Sequence, residues 1–278
     1  LLRFPGAFSP LVAIAIAGRD FDGVYVSGAA LSADLGLPDI GLTTLSEVAR
    51  RGSQIAAVTS LPTLIDADTG FGEPANVART VWAMEDAGLA GLHIEDQVNP
   101  KRCGHLDHKQ LVSRSDMLRR VKAAITARRD SEFVICARTD ARGVEGIEAA
   151  IERAKAYVDA GADLVFPEAL ESAAEFEKFR AAIDVPLLAN MTEFGKSPLL
   201  STATLGSIGI NVVIWPVTML RLAMGVIEDS LEKLAETGTQ MALVDRMQTR
   251  SRLYELVDYP AYQRFDQEVF NFQLPEGD

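Results

Sequence analysis

The chain alternates short apolar runs with longer stretches in which apolar residues recur every three or four positions. That contrast separates buried strands from amphipathic helices. The short runs lie near Leu2–Gly6, Gly23–Ser27, Thr63–Asp66, Gly91–Glu95, Phe133–Arg138, Asp163–Phe166, Pro186–Ala189 and Asn211–Trp215. They are largely continuous rather than alternating, as in parallel strands buried on both faces. Ser9 and Pro10 provide an N-cap and a first helical position for a helix running to about Gly18. Thr44-Leu45-Ser46-Glu47 has capping-box spacing. From Pro74, residues Val77, Val81 and Met84 keep helical period, as do Glu145–Ala160, Ala173–Ile183 and Val217–Glu236; Gly161, Gly209 and Gly238 are stops. Strand and helix in repeated alternation, without a break in composition, predict one α/β domain built as a (β/α)8 TIM-type barrel. Residues 1–237 suffice for the barrel, leaving 238–278 as a C-terminal helical extension. There Thr239–Val257 has helical period, and the aromatic-rich Tyr259–Phe272 reads as a packing arm, suited to another subunit.

Composition narrows the function classes. With 278 residues, 48% hydrophobic and 24% charged, the chain is an ordinary globular protein. No apolar run approaches the ~18 residues of a membrane span. The net charge of −12, without an offsetting basic run, argues against nucleic-acid and anionic-lipid partners. Two cysteines, Cys103 and Cys136, point to a reducing, cytoplasmic setting rather than a disulfide framework. The chain opens at Leu1 without methionine, and no targeting segment is visible.

Functional groups of such a barrel come from the C-terminal ends of the strands and the loops beyond them. Polar residues collect at these places: Ser27 and Gly28; Asp66 and Asp68; Glu95 and Asp96; Arg138 and Asp140; Glu168; and Asn190, Met191 and Thr192. Carboxylates converging from several strand ends repel one another unless a cation neutralises them. Oxygen donors without a His/Cys spacing favour Mg²⁺, or Mn²⁺, over zinc. A single aspartate of this kind is as easily a solvated turn residue; acids at four successive strand ends favour the metal.

The second chemical signal is Lys101-Arg102-Cys103-Gly104-His105, within about 19 irregular residues after the fourth strand. Loops of this length often act as lids. Flanking cations are expected to lower the Cys103 thiol pKa, and His105 is placed to meet a ligand. Cys136, inside an apolar run, reads as a small buried hydrophobe, His93 as a core residue and His108 as surface. Arg102, Arg138, Arg221 and Arg250 suit a bidentate grip on carboxylates, whereas Arg50, Arg51, Arg128 and Arg129 only solvate a surface. Metal, arginines and a cysteine acid together describe making or breaking a carbon–carbon bond beside carboxylates. A rival class, a nicotinamide-dependent dehydrogenase, is suggested by Gly70-Phe71-Gly72-Glu73-Pro74-Ala75, a loosened dinucleotide fingerprint. Asp66 and Asp68 just before the glycines, and Pro74 where a phosphate needs an N–H donor, count against it.

Eight segments, in order through nearly the whole chain, carry a more specific likeness: Tyr25–Gly28, Leu37-Pro38-Asp39, Asp66–Gly72 (DADTGFG), Gly91–Gln97 (GLHIEDQ), Lys101–His105 (KRCGH), Ala137–Asp140 (ARTD), Phe166–Ala169 (FPEA) and Asn190–Glu193 (NMTE). With them the chain resembles the isocitrate lyase and phosphoenolpyruvate mutase superfamily, on its methylisocitrate lyase branch. The absence of the large insertions of isocitrate lyases favours that branch.

The resemblance implies a Mg²⁺-dependent lyase acting on a small tri- or dicarboxylate, as a homotetramer that exchanges its last barrel helix between neighbours. It matches Asp66 and Asp68 to the metal site, with Asp39, Glu95 and Glu168 joining through water. It matches Ser27, Gly28, Cys103, Gly104, Arg138, Glu168, Asn190, Thr192, Arg221 and Arg250 to substrate contacts. Ala29, beside Ser27-Gly28, is expected to line the same site, as are His105 and Met191 from the segments above. Ala29 and Ala30 stand where many relatives have glycines, and their methyl groups narrow that loop's approach to a carboxylate. The expected reaction is retro-aldol cleavage of 2-methylisocitrate to pyruvate and succinate, with Cys103 as general acid and Tyr25 as base. Isocitrate, 2,3-dimethylmalate, oxaloacetate and phosphonate substrates are the alternatives within the superfamily.

Overall fold

Each of the eight apolar runs forms a strand in the computed structural model, which describes residues 1–271. The strands are β1 (Leu2–Pro5), β2 (Val24–Val26), β3 (Thr63–Asp66), β4 (Gly91–Glu95), β5 (Val134–Thr139), β6 (Leu164–Pro167), β7 (Leu188–Asn190) and β8 (Val212–Trp215). All ladders are parallel, in two sheets of order β2-β3-β4-β5-β6 and β1-β8-β7. Single parallel bridges, Gly6 to Tyr25 and Val165 to Leu187, join the sheets at both seams. The pairing therefore runs through the strands in cyclic order, the arrangement of a (β/α)8 fold. Strands this short and this apolar are stable because both faces are covered. Phe4, Tyr25, Leu64, Cys136, Leu164, Phe166, Leu188, Val212 and Ile214 form one buried cluster. A second packs Val26, Ile65, Leu92, Ile94 and Ile135 against helical residues such as Val77, Met84 and Met117.

The helix starts follow local chemistry. The Ser9 hydroxyl accepts from Val12 N ahead of helix Pro10–Ala17, and Thr44 and Glu47 complete a capping box before helix Leu45–Ala56. Gly209, in the left-handed region, ends helix Thr202–Ile208. Ser172 caps helix Ala173–Ala182 by accepting from Glu175 N at 3.2 Å. Ser172→Ala removes that acceptor and should cost about 1 kcal/mol, read as a lower urea midpoint at unchanged m-value.

Two helical expectations need correction. Glu145–Ala160 is not one helix: Gly146 adopts φ +91°, separating a short turn, Arg142–Glu145, from helix Ile147–Asp159. Thr239–Val257 likewise divides into a 3-10 turn, Met241–Arg246, and helix Arg250–Leu256. Helix Gly28–Asp34, directly after β2, follows an apolar run too closely for its own period to be visible.

The chain forms two compact units, Leu1–Leu222 and Ala223–Asp278. The first holds the strands and their helices. The second contains most of helix Thr218–Thr237, the 3-10 turn, helix Arg250–Leu256 and helix Tyr259–Phe270. Tyr254 and Tyr259 stack within it at 4.7 Å between ring centroids. Phe272, the end of the expected aromatic arm, lies outside the described residues.

Candidate active site

The C-terminal strand ends of the first unit bring its charged residues together. Beyond β2, Ser27 caps helix Gly28–Asp34, and Gly28 N donates to Asp66 Oδ2 at 3.2 Å. A Cβ on Gly28 would stand 2.8 Å from that oxygen and push the carboxylate aside. Beyond β3 the chain turns at Asp68, with φ +47°, and Asp68 N donates to Asp66 Oδ1 at 3.0 Å. The two carboxylates meet through this turn rather than through strand alternation, which β3 does not continue past Asp66.

Lys101 reaches into these acids. Its Nζ lies 2.5 Å from Asp39 Oδ1 and 2.8 Å from Asp68 Oδ1, and its side chain is 3% exposed. Burial opposes an ammonium there, but the charges of Glu95, Asp66, Asp68 and Asp39 hold its pKa well above the ordinary value. Burial pushes Asp68 up to about 6 despite Lys101, and pushes Glu95 well above its ordinary value. Both Glu95 carboxylate oxygens are buried, Oε1 without a hydrogen-bond partner and Oε2 met only by an ion pair with Arg138, while Asp68 Oδ1 is met by the Lys101 ammonium. This all-oxygen donor set is one that draws a hard divalent cation, so Asp66, Asp68, Asp39 and Glu95 fit Mg²⁺ or Mn²⁺ in kind. Among the described residues no three acids are gathered in a metal-ligand arrangement; the Lys101 ammonium supplies the positive charge between Asp39 and Asp68.

Arg138, at the end of β5, serves three carboxylates. Its Nε donates to Asp140 Oδ2 at 2.9 Å and lies 3.2 Å from Glu95 Oε2, while Nη1 lies 3.1 Å from Glu168 Oε2. Its guanidinium also stands over Phe166, 5.1 Å from the ring centroid. Glu168 is wholly enclosed, yet Arg138 and then His105 outweigh the burial penalty and hold its carboxyl well below the usual range. His105 Nε2 lies 3.1 Å from Glu168 Oε1, and Asn190 Nδ2 donates to the same oxygen at 3.3 Å. Asp96 faces the other way. It accepts from Thr139 Oγ1, Asp140 N and Tyr157 OH, and is a scaffold acid rather than a rim acid.

One cavity is lined by Tyr25, Ser27, Ala29, Asp39, Asp66, Lys101, Cys103, Gly104, His105, Arg138, Glu168, Asn190, Thr192 and Arg221, together with Phe166, Pro216 and Val217. Arg221 reaches it by donating to Glu193 O at 2.7 Å and to Thr192 Oγ1 at 3.3 Å. Met191 does not share it. Its side chain is buried in an apolar cluster and its sulfur accepts from Leu200 N, because it points to the opposite face from Asn190 and Thr192. Arg250 opens a helix of the second unit.

Two groups differ in protonation from the sequence-based picture. Burial raises the Cys103 thiol pKa instead of lowering it. The flanking cations do not face it: Lys101 is turned to Asp39 and Asp68, and Arg102 is exposed. Tyr25 is enclosed, and burial pushes its phenol well above the ordinary value. Its hydroxyl is 2.7 Å from His93 Nε2, and burial lowers His93 to about 4, so that ring is neutral. Asp140 stands at a strand end as expected, whereas Lys109 carries no local signal that separates it from a surface residue; both are buried.

A ring of parallel strands with acids, an arginine and a cysteine loop on one rim is the layout of a (β/α)8 enzyme. The pattern of the phosphoenolpyruvate phosphomutase family matches residues 1–235, and the chain belongs to that family. Within it, the chain is 66% identical over 272 residues to a probable 2-methylisocitrate lyase 2 of Corynebacterium glutamicum, covering 98% of this chain and 89% of that one. It is 49% identical to the 2-methylisocitrate lyase of Aeropyrum pernix, over 95% of this chain and 85% of the relative. The crystal structure of 2,3-dimethylmalate lyase, a PEP mutase/isocitrate lyase superfamily member, matches with a TM-score of 0.91 at 33% identity, over 99% of this chain and 94% of that one.

Proposed function

We infer that this protein is an oxo-acid lyase that cleaves 2-methylisocitrate to pyruvate and succinate. Its similarity to 2-methylisocitrate lyases extends over nearly its whole length. The observation that carries the chemistry is one cavity lined together by Cys103, Arg138, Glu168, Tyr25 and Asp66. Arg138, His105, Asn190, Thr192 and Arg221 supply donors for the substrate carboxylates, with Ser27, Ala29 and Gly104 on the walls and Gly28 assigned by resemblance. Arg250 is assigned to a carboxylate contact by resemblance.

Asp66 and Asp68 would hold Mg²⁺ or Mn²⁺, with Asp39, Glu95 and Glu168 joining through water. A metal there supplies Lewis-acid stabilisation of negative charge developing on the substrate's hydroxyl and carboxylate oxygens. Tyr25 is assigned to take the hydroxyl proton. Its phenol hydroxyl is held 2.7 Å from the neutral His93 Nε2, which orients it in the cavity. The carbon–carbon bond then breaks: the alkoxide oxygen becomes the pyruvate ketone and the bonding pair stays on the succinate fragment. Cys103 Sγ–H protonates that carbon, and the raised thiol pKa keeps the proton in place at neutral pH.

We place the reaction in the methylcitrate cycle of propionate catabolism, in a cytoplasmic homotetramer that exchanges its last barrel helix between subunits. We assign residues 1–237 to the catalytic barrel and the residues from 238 onward to an extension of it. No helix among the described residues is long and apolar enough to cross a membrane. The test is turnover of 2-methylisocitrate and isocitrate by purified protein with Mg²⁺ and with EDTA. Pyruvate formed only with metal supports the reading; preferential glyoxylate formation from isocitrate overturns the substrate assignment.

A further inference from the structure

We propose that Lys109 is a positioning residue that latches the Cys103 loop to the carboxylate orienting Arg138. The inference takes its meaning from the lyase reading above, but its geometry does not depend on the substrate. Lys109 lies later in the same loop as Cys103, and its side chain is 3% exposed. Its ammonium donates to the carbonyl oxygen of Gly104, next to the thiol residue, and to Asp140 Oδ1 at 3.0 Å. Asp140 is wholly buried and accepts from Arg138 Nε at 2.9 Å and Nη2 at 3.2 Å.

Asp140 is itself fixed from below. Its backbone N–H donates to Asp96 Oδ1 at 2.9 Å, and Asp96 Oδ2 accepts from Thr139 Oγ1 at 2.7 Å and Tyr157 OH at 2.8 Å. A continuous polar chain thus runs from the barrel scaffold, through Asp140 and Lys109, to the peptide beside Cys103. The same ammonium adjusts how Arg138 is shared. Arg138 faces Asp140, Glu95 and Glu168, and Lys109 neutralises part of the Asp140 charge. Without it, Asp140 draws the guanidinium more strongly away from Glu168 and the cavity, while the Gly104 carbonyl loses its buried donor. Both effects misplace groups facing the substrate, although Lys109 is not among the residues lining the cavity.

The two cysteines supply the assay. Cys136 is wholly buried and Cys103 only partly, so alkylation of the native protein by iodoacetamide reports the Cys103 loop. Wild type, Lys109→Met and Lys109→Arg would be alkylated without substrate, and kcat and KM measured separately. Loss of a charge-assisted hydrogen bond that closes a local segment should raise the alkylation rate of Lys109→Met about tenfold. Its kcat should fall about 100-fold, as for a small misplacement of reacting groups, with KM changed far less. Lys109→Arg, which keeps the charge and can reach the same acceptors, should recover most of both. A wild-type alkylation rate in folded Lys109→Met, or a lower melting temperature with unchanged kcat, overturns the latch. Should Lys109→Met not accumulate as folded protein, Asp140→Asn removes the other end of the ion pair; faster alkylation there supports the latch and a wild-type rate overturns it. Faster alkylation of Lys109→Met in a protein that leaves 2-methylisocitrate intact sustains the latch and refutes only the substrate assignment.

Discussion

Cys103→Ser is expected to lose about three orders of magnitude in kcat while binding succinate like the wild type. The substitution is nearly isosteric, and Cys103 lies in a loop outside the apolar clusters, so folding should be unaffected. What changes is acidity. A serine hydroxyl is a far weaker acid than a thiol, and a positioned general acid contributes roughly 10²- to 10⁴-fold. The pH dependence has a definite sign. The acid form is active, and burial raises the thiol above its ordinary 9.0. The alkaline limb of kcat should therefore lie above that value, and the rate should fall as the thiol loses its proton. Stopped-flow single turnovers and succinate titration calorimetry check both parts. Retention of a tenth of wild-type kcat would remove Cys103 from the acid role.

The second large effect is expected at Gly104. A Cβ there would stand 2.3 Å from Glu168 Cγ and 2.4 Å from Arg138 Nη2. Neither neighbour can yield easily. Glu168 is held by Arg138, His105 and Asn190, and Arg138 is held by Asp140. The loop must move instead, carrying the adjacent thiol with it. Gly104→Ala should thus lower kcat by about 100-fold, the cost of a displacement near 1 Å, while the melting temperature changes little because the strain is relieved in a loop outside the apolar clusters. Steady-state kinetics beside a thermal melt separates the two. Normal kcat in Gly104→Ala would mean that the loop does not need this close packing during turnover.

Much of this was legible along the chain. Thr63–Asp66 and Gly91–Glu95 are strands with the expected ends, because each is a short, mostly apolar run closed by a carboxylate at the strand's C-terminal end. Thr44 and Glu47 announce a helix start through contacts only three residues apart. Gly146 was harder: a glycine inside a helical period is tolerated or breaks the helix according to its surroundings, and here it breaks it. Met191 shares a strand-end segment with Asn190 and Thr192, but alternation sends those two to the rim and the Met191 side chain to the core.

Protonation was the least legible property. Lys101 and Arg102 flank Cys103, and adjacency suggested a lowered thiol pKa. The fold spends the Lys101 charge on Asp39 and Asp68, leaving burial to decide the thiol. Lys109 and Asp140, 31 residues apart, show nothing individually of their shared ion pair.

The sequence by itself determined the alternation of strands and helices, the strand ends that carry acids, and the loop that carries the cysteine. These follow from hydrophobic period, local capping and steric limits, all written within a few residues. Only the tertiary structure decided which charge faces which: Lys101 among the metal-site acids, Arg138 divided among three carboxylates, Cys103 kept protonated, and Lys109 tying the loop to the barrel. Electrostatic partners act through space and through burial, and neither quantity exists until distant strands are brought to one rim.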